Sequence, residues 1–255
     1  MLNALKRWLG GPGPVVDLAS VEAWALGRGY QLRRDRESLK VLMEGDYDGE
    51  RWRLEYGPPQ RAYIDGLELR MRMELHLPPT LNVLLMTRVL KDKLETAAFE
   101  RFTKRVETHI DTASPEEMRW LAMYPKVALP SSPPLKQHFG MVSNAPHAAS
   151  GWVQGPLGER LSVQAVSTLE GVPFVLMTLR GRLYLRMRLP KLPLSLLEEV
   201  VELFRLAAER AKEAMLAWEE DSDGSWMSTT SIAWQHDSHI ELPLDSQPPP
   251  VKPPK

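Results

Sequence analysis

The sequence predicts an α+β protein of two tandem helix–antiparallel sheet–helix modules, an internal duplication joined by a helical, Pro-rich connector. Three observations lead there. First, Leu67-Glu68-Leu69-Arg70-Met71-Arg72-Met73 recurs as Leu183-Tyr184-Leu185-Arg186-Met187-Arg188-Leu189, with a shared L-x-L-R-M-R core. Second, landmarks around the two copies come in the same order. Gly29, Gly45, Gly49-Glu50-Arg51, Asp65-Gly66 and Leu77-Pro78 are matched by Gly140, Gly155, Gly158-Glu159-Arg160, Arg180-Gly181 and Leu192-Pro193. Third, apolar residues alternate with charged ones at the period of a half-buried strand.

Residues 1–16 form a separate N-terminal segment. Leu2, Leu5, Trp8 and Leu9 fall at helical spacing beside Lys6 and Arg7. A short helix packed on the domain, or frayed before the Gly/Pro run at 10–14, suits them better than a membrane anchor.

The first module spans residues 17–112. After a short helix near 20–26, Trp52, Leu54 and Tyr56 share one strand face, with Arg51, Arg53 and Glu55 on the other. In the repeated strand Leu69, Met71, Met73 and Leu75 face one side, and Arg70, Arg72, Glu74 and His76 the other. Asp48-Gly49 and Asp65-Gly66 are dipeptides that close tight hairpins, since both positions accept positive φ. A helix is expected from Thr80 towards Phe102, with Leu81, Leu84, Leu85 and Leu94 among its apolar residues.

The connector spans residues 113–134. Ser114-Pro115-Glu116-Glu117 begins a helix, with a Ser cap, Pro in the first turn and Glu completing the capping box. Trp120, Leu121 and Tyr124 supply its buried side, and a proline-rich stretch follows. The second module spans residues 135–245. A helix is expected at 135–139, a repeated meander follows, and Ser195 with Glu198 starts a long helix. Leu196, Leu197, Val200, Phe204, Ala207, Ala208 and Ala211 make that helix's apolar stripe. A terminal hairpin is expected over 225–242. Residues 246–255, rich in Pro, make an extended tail that cannot pack.

Composition narrows the function classes. The 32 basic and 33 acidic side chains leave a net charge of −1, so no global field favours nucleic acid or anionic lipid. The absence of cysteine excludes disulfides, thiolate metal sites and a cysteine nucleophile, and suits a cytoplasmic location. The most apolar stretch, 77–86, is too short to span a bilayer, so no stable membrane insertion is expected. Phosphate-binding glycine loops, zinc-protease helices, nucleophile elbows and kinase signatures are absent. No cofactor is implied.

Four local patterns carry chemistry. Arg70, Arg72, Arg186 and Arg188 occupy equivalent places in the two copies and could form one symmetric basic strip for phosphates or an acidic partner. Cross-strand pairing to Glu68 and Glu74 is the plainer expectation. Asp237, His239 and Glu241 alternate onto one strand face and form a weak candidate for a divalent cation, with a solvated edge the plainer expectation. Asp221-Ser222-Asp223-Gly224-Ser225 resembles a calcium loop but puts Ile232 where the bidentate Glu belongs. Pro250 and Pro253 have polyproline-ligand spacing at an otherwise solubilising tail.

The order of elements is similar to small chaperone-type and saddle-shaped tandem folds, which carries architecture alone. The expected function is a non-enzymatic intracellular protein-binding module, adaptor or chaperone-like, with a protein partner. Nucleic-acid binding through the Arg strands is the alternative, and metal-dependent catalysis the third.

Overall fold

A computed structural model describes residues 18–34, 40–104 and 115–221. The fold is mixed α+β, with seven helices and one eight-stranded antiparallel sheet among the described residues. In chain order come α1 (Leu18–Gly27), β1 (Gln31–Arg34), β2 (Val41–Tyr47), β3 (Glu50–Gly57), β4 (Glu68–Glu74), β5 (Val83–Thr87) and α2 (Arg88–Lys104). They are followed by α3 (Glu116–Met123), α4 (Pro133–His138), β6 (Phe139–Ser143), α5 (Pro146–Trp152) and α6 (Pro156–Ala165). The last elements are β7 (Phe174–Leu179), β8 (Arg182–Arg188) and α7 (Leu194–Asp221). Across the sheet the order is β1-β2-β3-β4-β8-β7-β5-β6.

The two L-x-L-R-M-R strands are therefore neighbours. β4 and β8 run antiparallel at the middle of the sheet, with Leu69 opposite Met187, Arg70 opposite Arg186 and Met71 opposite Leu185. Strand alternation sends Met43, Leu54, Leu69, Met71, Leu185, Leu176, Leu85 and Met141 to one face, where all are buried. That face joins Val21 and Ala25 of α1, Trp152 of α5, Leu157 and Leu161 of α6, and the α7 stripe from Leu197 to Ala211 in one core. Burying each Leu or Met contributes about 1.5–3 kcal/mol, so this face holds the sheet to its helices. Trp152 also donates its indole N–H to the Ala207 carbonyl at 2.8 Å, which satisfies its only polar atom.

The second face is divided. On β5, β6 and β7 it is apolar, with Leu84, Met86, Val142, Val175 and Met177. Leu90 and Leu94 of α2, Met118 and Trp120 of α3, and Tyr63 and Ile64 of the 58–67 segment cover it. Across β3, β4 and β8 it is charged, carrying Arg53, Glu55, Glu68, Arg70, Arg72, Glu74, Arg182, Arg186 and Arg188.

Three local expectations are corrected. Residues 83–87 are a strand, not the start of a helix, and α2 begins at Arg88. Every β5 side chain is buried, Leu85 against one core and Leu84 and Met86 against the other. Such a strand reads as a continuous apolar run, without alternation. Asp65-Gly66 does not close a tight hairpin. Asp48 and Gly49 do adopt the two positive φ values, 55° and 82°, that join β2 to β3, whereas the link from β3 to β4 is the whole 58–67 segment. Residues 156–165 form α6 where the second meander was expected. Gly158 lies inside that helix because its backbone packs closely, and a Cβ there would lie 2.3 Å from the Val153 carbonyl oxygen.

β5 pairs with β7 on one side and β6 on the other. To reach that place the chain leaves β4 and crosses the tip of the β7–β8 hairpin. The Leu75 and Leu77 amides donate to the Gly181 carbonyl at 3.1 and 3.4 Å. The first half of the chain thus lends a strand to the side of the sheet built by the second.

Candidate functional site

Arg70 and Arg186 face each other across the β4–β8 ladder, a placement that by itself is repulsive. Glu68 resolves it. Its side chain is fully buried, and its two oxygens accept separately. Oε1 takes Arg186 Nη1 at 2.7 Å, while Oε2 takes Arg70 Nη1 at 3.3 Å and the Gln60 backbone N–H at 2.6 Å. On the other flank Glu55, opposite Arg70 on β3, accepts from Arg70 Nη2. Arg70 Nη1 also reaches the Pro58 carbonyl at 3.1 Å.

The result is a neutral quartet of two arginines and two glutamates that ties the 58–60 backbone to the sheet. Its arginine side chains are only 13% and 12% exposed. Burial works to raise the Glu55 carboxyl, but its bonds to Arg70 and Arg53 outweigh that and hold it below the usual glutamate range.

A second buried carboxylate lies beside the quartet. Glu117 of α3 is fully buried, and its Oε1 accepts from the Tyr63 hydroxyl at 2.8 Å and from Arg61 Nε at 3.2 Å. Burial first, and the Glu117 carboxylate second, push the Tyr63 hydroxyl far above the ordinary phenol range, with Arg186 and Arg61 opposing. In the sequence Glu117 is the capping-box glutamate of the connector helix. In the fold it is the anchor that fastens the 58–67 segment to α3. The sequence does not mark Glu55 or Tyr63 as site residues, because only their placement across strands and beneath α3 brings them to the arginines.

The four arginines of the basic strip divide into two kinds. Arg70 and Arg186 are committed to carboxylates. Arg72 is exposed, and neither it nor the half-buried Arg188 has an ion-pair partner among the described residues. Glu74 pairs with Arg182, its Oε1 lying 2.6 Å from Arg182 Nε. Asp237, His239 and Glu241, like the terminal hairpin and the Pro-rich tail, lie outside the described residues. Among those described, no group of three or more acidic or imidazole side chains is gathered to hold a metal ion. Nor is any helix among them long and apolar enough to cross a membrane.

A different surface was not singled out by the sequence. β1 is an edge strand, paired only with β2 among the described residues. Gln31, Arg33 and Arg34 are exposed, and Leu32 is half-buried. Between β1 and α1 lies an open cleft of about 260 Å³ lined by Glu22, Ala25, Leu26, Tyr30, Leu32 and Arg34. Leu26 is 80% exposed on its rim. An aromatic stack braces the floor. Tyr30 packs edge-on to Trp24 and Trp52 at 5.5 and 4.7 Å, and Gly45 leaves them room, since a Cβ there would lie 2.7 Å from both Tyr30 and Trp52.

No family model, curated protein or solved structure matches this chain. Two regions thus stand out among the described residues, a network of buried ion pairs and an edge strand paired on one side only.

Proposed function

We propose that this chain is a non-enzymatic protein-binding module, adaptor or chaperone-like, built on a duplicated α+β unit. One observation carries the reading: an edge strand, paired on one side only among the described residues, lies beside an open cleft of mixed polar and apolar lining. Open strand edges bind extended segments through main-chain hydrogen bonds, with side-chain pockets adding selectivity. The ionisable groups at the sheet centre support it indirectly, because Arg70 and Arg186 are paired to the carboxylates of Glu55 and Glu68.

The register supports the proposed duplication. Arg70 and Arg186 are equivalent in the repeat and are also direct partners in the ladder, so a local two-fold axis passes between them. It relates Arg72 to Arg188, and Glu68 opposite Arg188 to Tyr184 opposite Arg72.

The full chain, tagged and expressed in its native host, tests the function. Specific proteins captured over a tag control, identified by mass spectrometry and reconstituted as a complex with the purified chain, support it. Capture no different from the control contradicts it. The exposed Arg72 favours nucleic-acid binding as a second reading. Binding isotherms on duplex and single-stranded oligonucleotides at two salt concentrations would detect it as salt-dependent affinity lost in Arg72→Ala/Arg188→Ala.

A further inference from the structure

We infer that β1 takes as its ninth strand an extended acidic segment of a partner protein, with apolar side chains on the face turned to the α1 cleft; this rests on the protein-binding reading above. Along an antiparallel strand, every second residue points its N–H and C=O away from its neighbour. β1 is hydrogen-bonded to β2 alone, so among the described residues its outer row has no partner.

The two sides of β1 state what the incoming strand must carry. Leu32 stands opposite Met43 on the core face, so Tyr30, Leu32 and Arg34 share the side on which the cleft opens. An added strand sends alternate side chains over that cleft, against Leu26 and Ala25, where apolar groups remove area from water. Arg33 lies on the opposite face, across from Leu42, and Arg34 stands at the cleft's end. Neither has an ion-pair partner among the described residues, and both are exposed. Glu22 is the sole acidic residue in the lining. Among the described residues the edge is therefore basic.

That charge decides between occupants. A second copy of this chain pairing β1 to β1 would bring Arg33 and Arg34 of both copies onto one ladder, and like charges across a ladder are destabilising. Cationic side chains on an edge strand are a usual guard against self-pairing. A strand bearing carboxylates on the face away from the cleft turns Arg33 from a repulsive into an attractive pair, so the guard against a copy selects an acidic partner.

The test uses the full chain and a short blocked peptide alternating glutamate and valine, with its lysine–valine counterpart as control. The acidic peptide is expected to bind at least tenfold more tightly than the basic one. It is also expected to perturb the backbone amide signals of Leu26 and Leu32 to Arg34. Arg33→Glu/Arg34→Glu, two exposed changes that leave the core intact, should reverse the preference. Equal binding of both peptides, amide perturbation away from β1, or a preference unchanged in the double variant overturns the inference. So does a concentration-dependent dimer that the acidic peptide cannot dissociate. If the tagged chain still captures specific host proteins while the peptide arm fails, this inference falls and the wider reading stands. If capture also fails, both fall.

Discussion

Arg70 and Arg186, which hold the same place in two strands of similar sequence, stand directly opposite each other at the centre of the sheet and share the carboxylate of Glu68. Two like charges there would push the strands apart. With Glu68 buried between them and Glu55 on the outer flank, they fasten three strands and the 58–67 segment together. A motif that looks from the sequence like a surface for phosphates is in the fold largely an internal clasp.

Removing the carboxylate from that clasp is expected to be costly. Glu68→Gln leaves Arg186 buried without its partner, and breaking a buried pair from one side costs about 3–5 kcal/mol. Urea denaturation should show that loss, while Arg72→Ala, on an exposed arginine of the same strand, should stay within about 0.5 kcal/mol.

The local two-fold axis makes a sharper prediction. Glu68 and Tyr184 are related by it, so a carboxylate at 184 would address the same two arginines from the mirror position. Adding Tyr184→Glu to Glu68→Gln should recover about 1 kcal/mol relative to the sum of the single changes, a coupling typical of residues in one network. Plain additivity in the double-mutant cycle would speak against the symmetry.

The strand crossing depends on one glycine. Gly181 has φ 77°, and a Cβ on it would lie 2.9 Å from the Leu77 carbonyl oxygen. Gly181→Ala should therefore cost about 1–3 kcal/mol, whereas Arg180→Gly, at φ 51°, should be neutral or stabilising by about 1 kcal/mol. Thermal melts check this, with Gly181→Ala lowering the midpoint and Arg180→Gly leaving it unchanged or raising it.

Much of this architecture is legible in the sequence, and the exceptions have physical causes. Trp52, Leu54 and Tyr56, the Leu/Met face of both repeated strands and the α7 stripe follow the expected periods, because each buries one side only. β5 was hidden because both of its faces are covered, which erases alternation and leaves a run that reads as helix. Gly49 and Gly158 show the same letters serving different needs. The first accepts a turn's positive φ, and the second admits a backbone contact inside a helix. Glu117 looked like a cap because its partners, Tyr63 and Arg61, lie more than fifty residues away. The open edge at β1 had no sequence signal, since a strand's place in a sheet is set by pairings that the strand itself does not encode.

Alkaline titration should find two protected tyrosines. Burial pushes Tyr56 up to about 12, and Tyr63 is raised further by burial and Glu117. A phenol whose folded value lies above its unfolded value of about 10 stabilises the fold fully below pH 10. That contribution is lost as pH climbs through the folded value. Ultraviolet difference spectra should therefore show these two of the six tyrosines ionising together with unfolding above about pH 10, and Tyr63→Phe should shift the alkaline midpoint.

The sheet's edge at β1, and not its arginine centre, is expected to meet the partner. Hydrogen exchange on the full chain, alone and in complex with a captured host protein, tests it most directly. New amide protection is expected over residues 31–34, with unchanged protection across β4 and β8. Protection confined to the face around Arg72 and Arg188, with residues 31–34 exchanging as in the free chain, would contradict it.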